Sequence, residues 1–160
     1  MVTHHADAAR AWSAVAAVVD PEVPVLSIDD LGVLREVTVS DDGVEVVITP
    51  TYSGCPAMDA IREDVVRALA AEGFGDVRVR LVLSPAWTTD WISAKGRNAL
   101  KEYGIAPPSA AGPVRLSMSV KCPHCDSLDT REVAHFGSTS CKALFVCRSC
   151  GEPFDHFKAL

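Results

Sequence analysis

The chain has no apolar run near the roughly 20 residues that span a bilayer. Its opening, Met1-Val2-Thr3-His4-His5-Ala6-Asp7, shows neither a basic segment nor a cleavable apolar stretch. A cytoplasmic protein with no membrane contact is therefore expected. Histidine is scarce, at 4, 5, 124, 135 and 156 only. A cysteine in the folded part of the first hundred residues thus lacks the imidazole base that cysteine-nucleophile catalysis requires. Neither a phosphate-binding loop nor a flavin or dinucleotide fingerprint is present, and the glutamate plus Glu-x-x-His helices of a di-iron oxygenase are missing. Internal repeats and low-complexity tracts are absent too. Positive charge is also short, with 15 Lys and Arg against 21 Asp and Glu. Residues 114–160 hold six basic and five acidic side chains, against nine and sixteen before them. Without a dense basic face, nucleic acid is not an expected partner.

What the chain does have is six cysteines in 160 residues. Their clustering, with no secretory signal, points to reduced thiols holding metal rather than to disulfides. Cys122-Pro-His-Cys125 and Cys147-Arg-Ser-Cys150 are two CxxC pairs flanking a strand-rich stretch, the pattern of a zinc ribbon. Two intervening residues let the chain turn so that both sulfurs face one centre, and Gly151 eases the second turn. Four thiolates close a structural Zn²⁺ site to water. A rubredoxin-like or Fe–S centre is the chemical rival. Cys141, inside the loop from Asp126 to Val146, is the alternative fourth ligand. Four of the five phenylalanines, Phe136, Phe145, Phe154 and Phe157, also fall here. They either fill a core too small to stand without metal or form a protein-docking surface.

The expected fold class is α+β: a small α-β-β-α-β-α domain with a mixed sheet (1–105), a Pro-rich linker (106–113) and a β-rich zinc ribbon (114–160). Trp12, Val15, Ala16 and Val19 recur at helical spacing, predicting a helix from about Ala8 to Val19 that Asp20-Pro21 ends. Leu34–Val39 and Val44–Thr49 read as strands joined by a turn at Asp41-Asp42-Gly43. A helix follows Pro56 with Met58, Ile61, Val65 and Leu69 on its buried stripe and Gly73 as its stop. Val77, Val79, Leu81 and Leu83 mark a third strand, parallel to the second because a helix crosses between them. Thr89 is placed as the cap of a last helix with Ile92, Gly96, Ala99, Leu100 and Tyr103 on one face. The seam Ile105-Ala-Pro-Pro-Ser-Ala-Ala-Gly-Pro113 offers little to bury.

Three loops carry chemistry. Cys55, in Ser53-Gly54-Cys55-Pro56, directly precedes a helix, where free N–H groups and the macrodipole favour thiolate over thiol. It is either a reactive or metal-binding thiol or a half-buried structural residue. Asp20-Pro-Glu22-Val-Pro24 and Ser27-Ile-Asp-Asp30 set three carboxylates beside prolines; Asp20, Glu22 and Asp30 contact a partner or a metal, or are solvated turn residues. Trp87 and Trp91 flank Thr88-Thr89-Asp90 and serve as core caps or as a binding platform that includes Trp87 and Asp90.

Taken in order, Asp-Pro-Glu-Val-Pro, Asp-Leu-Gly-Val, Gly-Cys-Pro, Ser-Pro-Ala-Trp-Thr-Thr-Asp-Trp-Ile-Ser and Gly-Arg-Asn-Ala-Leu resemble the iron–sulfur cluster assembly domain family that includes SufT. The resemblance covers roughly Ala8 to Ile105. Gly137-Ser-Thr-Ser-Cys141-Lys-Ala-Leu144 and Cys147-Arg-Ser-Cys150-Gly-Glu-Pro-Phe154-Asp-His-Phe157-Lys resemble the tail of the PaaD-type accessory proteins of the multicomponent phenylacetyl-CoA epoxidase. The resemblance implies an accessory maturation protein rather than an enzyme, serving aerobic phenylacetate breakdown. It places the family's loop cysteine on Cys55, as a thiol for iron or an Fe–S cluster in transit. It names epoxidase components as partners, with the Fe–S reductase as client; the alternative role is a stoichiometric structural subunit of the epoxidase that handles no cluster, and a homo-oligomer is open in either case. The family often has Pro-Pro-Trp where this chain has Pro85-Ala86-Trp87.

Overall fold

The computed structural model describes residues 3–109 and 119–159. They form two compact units, Met1–Trp87 and Thr88–Leu160. In the first unit, helix α1 (Thr3–Ala16) is followed by strands β1 (Leu34–Ser40) and β2 (Gly43–Ile48), helix α2 (Ala57–Ala71) and strand β3 (Val77–Leu81). The sheet order is β1-β2-β3, with β1 antiparallel and β3 parallel to the central β2. The parallel pairing expected from the crossover helix is therefore present, and so is the two-residue hairpin at Asp41-Asp42.

Helix α2 buries Ala57, Met58, Ile61, Val65 and Leu69, the stripe its periodicity predicts. It stops where Gly73 N–H reaches the Ala70 carbonyl and Phe74 N–H reaches that of Leu69. Helix α1 departs from expectation. It ends at Ala16 rather than Val19, and its buried positions are Ala11 and Val15, while Trp12 and Val19 are exposed. The cause is the loop after the helix: Val19 pairs with Ser27 in an isolated bridge, and Ile28 N–H bonds the Val18 carbonyl. These bonds draw the backbone out of helical geometry before Asp20-Pro21 is reached. Val23, Leu26, Ile28, Leu31 and Val33 are buried, so the loop is part of the core.

The second unit contains a 3₁₀ turn (Thr89–Trp91), helix α3 (Ala94–Glu102) and strands β4 (Ile105–Ala106), β5 (Thr130–Ala134), β6 (Lys142–Cys147) and β7 (Pro153–Phe157), in sheet order β4-β7-β6-β5. Thr89 opens the 3₁₀ turn and not the helix. Ser93 is the N-cap of α3, accepting Gly96 N–H at 2.9 Å, and Tyr103, expected on the buried face, is exposed. A serine in extended conformation three residues before a free N–H makes the better cap.

The division between units falls earlier than the expected 105/106 boundary. Ile105 and Ala106 pair in parallel with Asp155 and His156 of β7, so the stretch expected to begin a linker begins in the ribbon sheet. Arg97 reinforces this by donating to the carbonyls of Thr89 and Pro108, both at 2.7 Å. Residues 110–113 of the expected linker and 114–118 of the expected ribbon lie outside the described residues. No described helix is long and apolar enough to cross a membrane.

Candidate functional site

Two cysteine sites emerge, one in each unit. In the second, the sulfurs of Cys122, Cys125, Cys147 and Cys150 all lie within 4.8 Å of one another. Cys122 and Cys150 are 3.8 Å apart and Cys125 and Cys147 3.6 Å. A tetrahedron with ligands at about 2.3 Å has edges of about 3.8 Å, so the donor set fits a four-coordinate thiolate metal.

The site is built from two matching turns. Asp126 N–H bonds the Cys122 carbonyl and Gly151 N–H that of Cys147; Cys122 N–H reaches Ser127 O and Cys147 N–H reaches Glu152 O. The residue after each second cysteine is left-handed, Asp126 at φ 61° and Gly151 at φ 81°. Gly151 adopts this freely, whereas for Asp126 it carries a steric cost. Its carboxylate is held by Lys101 Nζ at 2.9 Å and Lys121 Nζ at 3.3 Å, and these ammonium groups, Lys101 foremost, keep it below the ordinary carboxylate range. Backbone N–H groups also point at the sulfurs. Those of Cys150, chiefly, and Ser149 help bring Cys147 down to about 6. Against nearby N–H groups, partial desolvation and the neighbouring sulfurs push Cys125 up to about 12 and Cys150 upward. Without a cation one thiolate is therefore favoured in the cluster, and its neighbours keep their protons until a metal arrives.

Cys141 is not part of this set. It is buried elsewhere, its sulfur 3.0 Å from the Thr139 hydroxyl. Nor do the four phenylalanines share one role: Phe145, Phe154 and Phe157 are buried, and Phe136 is exposed. Phe145 and Phe154 stack with centroids 5.9 Å apart, in one cluster with Cys122 and Cys147.

In the first unit the structure brings Cys55 together with Asp20 and Glu22, near enough for their charges to act on it. Cys55 is buried one residue before the N-cap Pro56 of α2. Its thiol pKa is raised above 9.0, opposite to the lowering expected from its place before a helix. Burial is the main cause, with Glu22 and then Asp20 adding to it. The Ala57 N–H and Thr51 side chain pull the other way without prevailing. Thr51, four residues before the cysteine in the same turn, thus joins the site through its side chain.

Asp20 is buried and accepts the N–H groups of Glu22 (2.7 Å) and Val23 (3.0 Å), so it shapes the turn that carries Glu22. Asp30 is tied to Ser27, whose hydroxyl donates to its carboxylate and accepts its N–H. Trp87 is buried and donates its indole N–H to the Leu31 carbonyl at 2.9 Å, the place of a core cap. Trp91 is half-buried, and Asp90 is exposed and belongs to the second unit.

Comparisons with known proteins agree with this two-part construction. Residues 8–81 match the model of the iron–sulfur cluster assembly protein family, and residues 106–158 that of the PaaD zinc beta ribbon domain. The chain is 47% identical over 150 residues to an Escherichia coli (strain K12) protein provisionally named as a subunit of 1,2-phenylacetyl-CoA epoxidase, covering 93% of this chain and 91% of that one. It is 41% identical over 90 residues to an Fe-S protein maturation auxiliary factor of Porphyromonas gingivalis, covering 55% of this chain and 82% of that one. A crystal structure of a domain of unknown function, DUF59, from Bacillus anthracis superposes with a TM-score of 0.58 at 26% identity, covering 62% of this chain and 95% of that one. An iron–sulfur cluster assembly domain joined to a PaaD zinc ribbon, in one chain and in this order, places the protein in the PaaD family of phenylacetyl-CoA epoxidase accessory proteins.

Proposed function

We propose that this chain is a non-catalytic, cytoplasmic maturation factor that helps assemble or insert the Fe–S cluster of the phenylacetyl-CoA epoxidase system, with the reductase component as client. Cys55 is its functional thiol, Glu22 and Asp20 act beside it, and a structural Zn²⁺ holds the ribbon. The observation that carries this reading is the setting of Cys55. Burial and two carboxylates disfavour a bare thiolate there. The same negative field favours a cation, so an arriving iron displaces the thiol proton and is held by a soft ligand next to hard ones. Similarity to proteins named Fe-S protein maturation auxiliary factors, from Bacillus subtilis and Staphylococcus aureus as well, supports it. Four thiolates closing the ribbon site suit a structural metal, and zinc is favoured because residues 106–158 match a zinc beta ribbon domain.

The word subunit in the name of the Escherichia coli relative favours a second reading, a stoichiometric structural component of the epoxidase that handles no cluster. A strain deleted for this chain separates the two. The maturation role predicts epoxidase polypeptides at normal level with a reductase poor in iron and sulfide. The structural role predicts a fully loaded reductase and a complex that falls apart on gel filtration.

A further inference from the structure

The four ribbon sulfurs are not equivalent. Cys122 and Cys147 are fully buried in one cluster with Phe145 and Phe154, whereas Cys125 and Cys150 are exposed. Each turn therefore offers one cysteine to solvent and keeps the other in the core. The close sulfur contacts cross that division: exposed Cys125 lies 3.6 Å from buried Cys147, and exposed Cys150 lies 3.8 Å from buried Cys122. Together the two contacts use all four sulfurs, and both run from one turn to the other.

Contacts that need no metal also hold the turns face to face. The hydroxyls of Ser127 and Ser149 are 2.7 Å apart. Arg148 N–H bonds the Asp129 carbonyl at 2.8 Å, its guanidinium lies 3.9 Å from the Asp129 carboxylate, and Cys147 pairs with Thr130 in the sheet. A sulfur that leaves a metal is thus still presented to the opposite turn as it leaves. Outside the ligand set, Cys55 and Cys141 are both buried. An oxidant must reach a sulfur to attack it, so peroxide meets Cys125 and Cys150 first.

We infer that Cys125 and Cys150 are oxidation sites for peroxide, and that the product is a disulfide across the two turns, Cys125–Cys147 or Cys150–Cys122, rather than one within a CxxC pair. The Cys125 sulfur attacks one peroxide oxygen: an S–O bond forms, the O–O bond breaks, and the departing hydroxide takes up a proton to become water. The Cys147 sulfur then attacks the resulting sulfenic acid; an S–S bond forms, the S–O bond breaks, and the second hydroxide leaves, again as water after gaining a proton. Two thiolates lose one electron each, and one peroxide becomes two waters. The pair left behind is two ligands short of a tetrahedron, so the metal is lost, and a thiol reductant with fresh zinc restores the site. This rests on the ribbon zinc proposed above, and not on cluster handling by Cys55.

The test is stepwise addition of hydrogen peroxide to the full-length zinc-loaded chain, read by zinc release to a chromogenic chelator and by mass spectrometry of the non-reduced tryptic digest. Cleavage after Arg131, Lys142 and Arg148 puts Cys122 and Cys125 on one peptide and separates Cys147 from Cys150, and fragmentation assigns each partner. About one zinc should be lost per first disulfide, with a bridge across the turns, and equally so in Cys55→Ala and Cys141→Ala. A Cys122–Cys125 or Cys147–Cys150 bridge, a bridge to Cys55 or Cys141, or oxidation of either of those buried thiols ahead of zinc release would overturn the assignment. A chain that binds no zinc before peroxide is added would overturn it together with the structural metal, and would leave the Cys55 proposal standing.

Discussion

The two halves of the molecule solve the problem of a small core in opposite ways. In the first unit, Val15, Leu26, Ile28, Val46, Ile48, Ile61, Val65 and Leu69 are all fully buried, from both helices, the sheet and the loop before it. Aliphatic burial of that kind stabilises without help. The ribbon's comparable cluster is Ala106, Cys122, Ala143, Phe145, Cys147 and Phe154. Two of its six members are ligand cysteines, so core and metal site are one object. Where carbon is scarce, sulfur–metal bonds take over the task of cohesion. The cysteines divide likewise. Four are arranged so that neighbouring N–H groups and sulfurs await a resident metal, and Cys55 is buried among carboxylates where a thiolate is unwelcome until a cation arrives.

The sharpest way to break this contrast is to remove the metal. Chelation, or Cys122→Ser, should unfold the ribbon outright, since structural zinc binding of this type supplies on the order of 10 kcal/mol of folding free energy. Amide NMR should then show resonances of residues 6–87 in place and those of the ribbon collapsed. A ribbon that stays folded without metal would mean its carbon core suffices. The converse variant, Leu69→Ala, should cost the first unit about 3 kcal/mol through the cavity it leaves, seen in urea titration, with zinc content unchanged.

A smaller effect tests where the second unit begins. A fragment of residues 88–160 should fold with zinc, whereas 106–160 loses α3, Ile105 and the Lys101–Asp126 pair. The shorter fragment should be less stable by on the order of 2 kcal/mol, read as a lower melting temperature. Equal melting would return the boundary to the Pro-rich seam.

The smallest effect concerns Cys55. Because its folded pKa is raised above 9.0, its contribution to stability is complete below that value and is lost as pH climbs through the folded pKa. At about pH 8 it should alkylate more slowly than a free thiol. Glu22→Gln removes one of the charges that raise it and should speed alkylation about two- to fivefold. An unchanged rate would remove Glu22 from the causes and leave burial and Asp20.

The sequence showed strongly periodic elements well and tertiary overrides poorly. Helix α2 and the β2-α2-β3 crossover were legible because their apolar spacing admits one reading. The gathering of Cys122, Cys125, Cys147 and Cys150 was legible because CxxC spacing is a local geometric constraint. The end of α1 was not, since the Val19–Ser27 bridge that draws the chain away is a loop contact with no periodicity. Nor was the allegiance of α3, which rests on Arg97 and on a two-residue strand too short to announce itself. The Cys55 expectation erred in sign because position before a helix is visible in sequence and burial among carboxylates is not. Among the phenylalanines, composition could not separate Phe136 from the three that fill the core.

The central claim is that Cys55 serves a cluster bound for another protein. It is tested most directly by purifying the epoxidase reductase anaerobically from cells whose only copy of this chain carries Cys55→Ala, and measuring its iron, sulfide and visible absorbance. The account predicts reductase polypeptide at normal level with most of its cluster missing, while the variant chain keeps about one zinc and still binds the complex. A reductase with its full complement of iron and sulfide would contradict it.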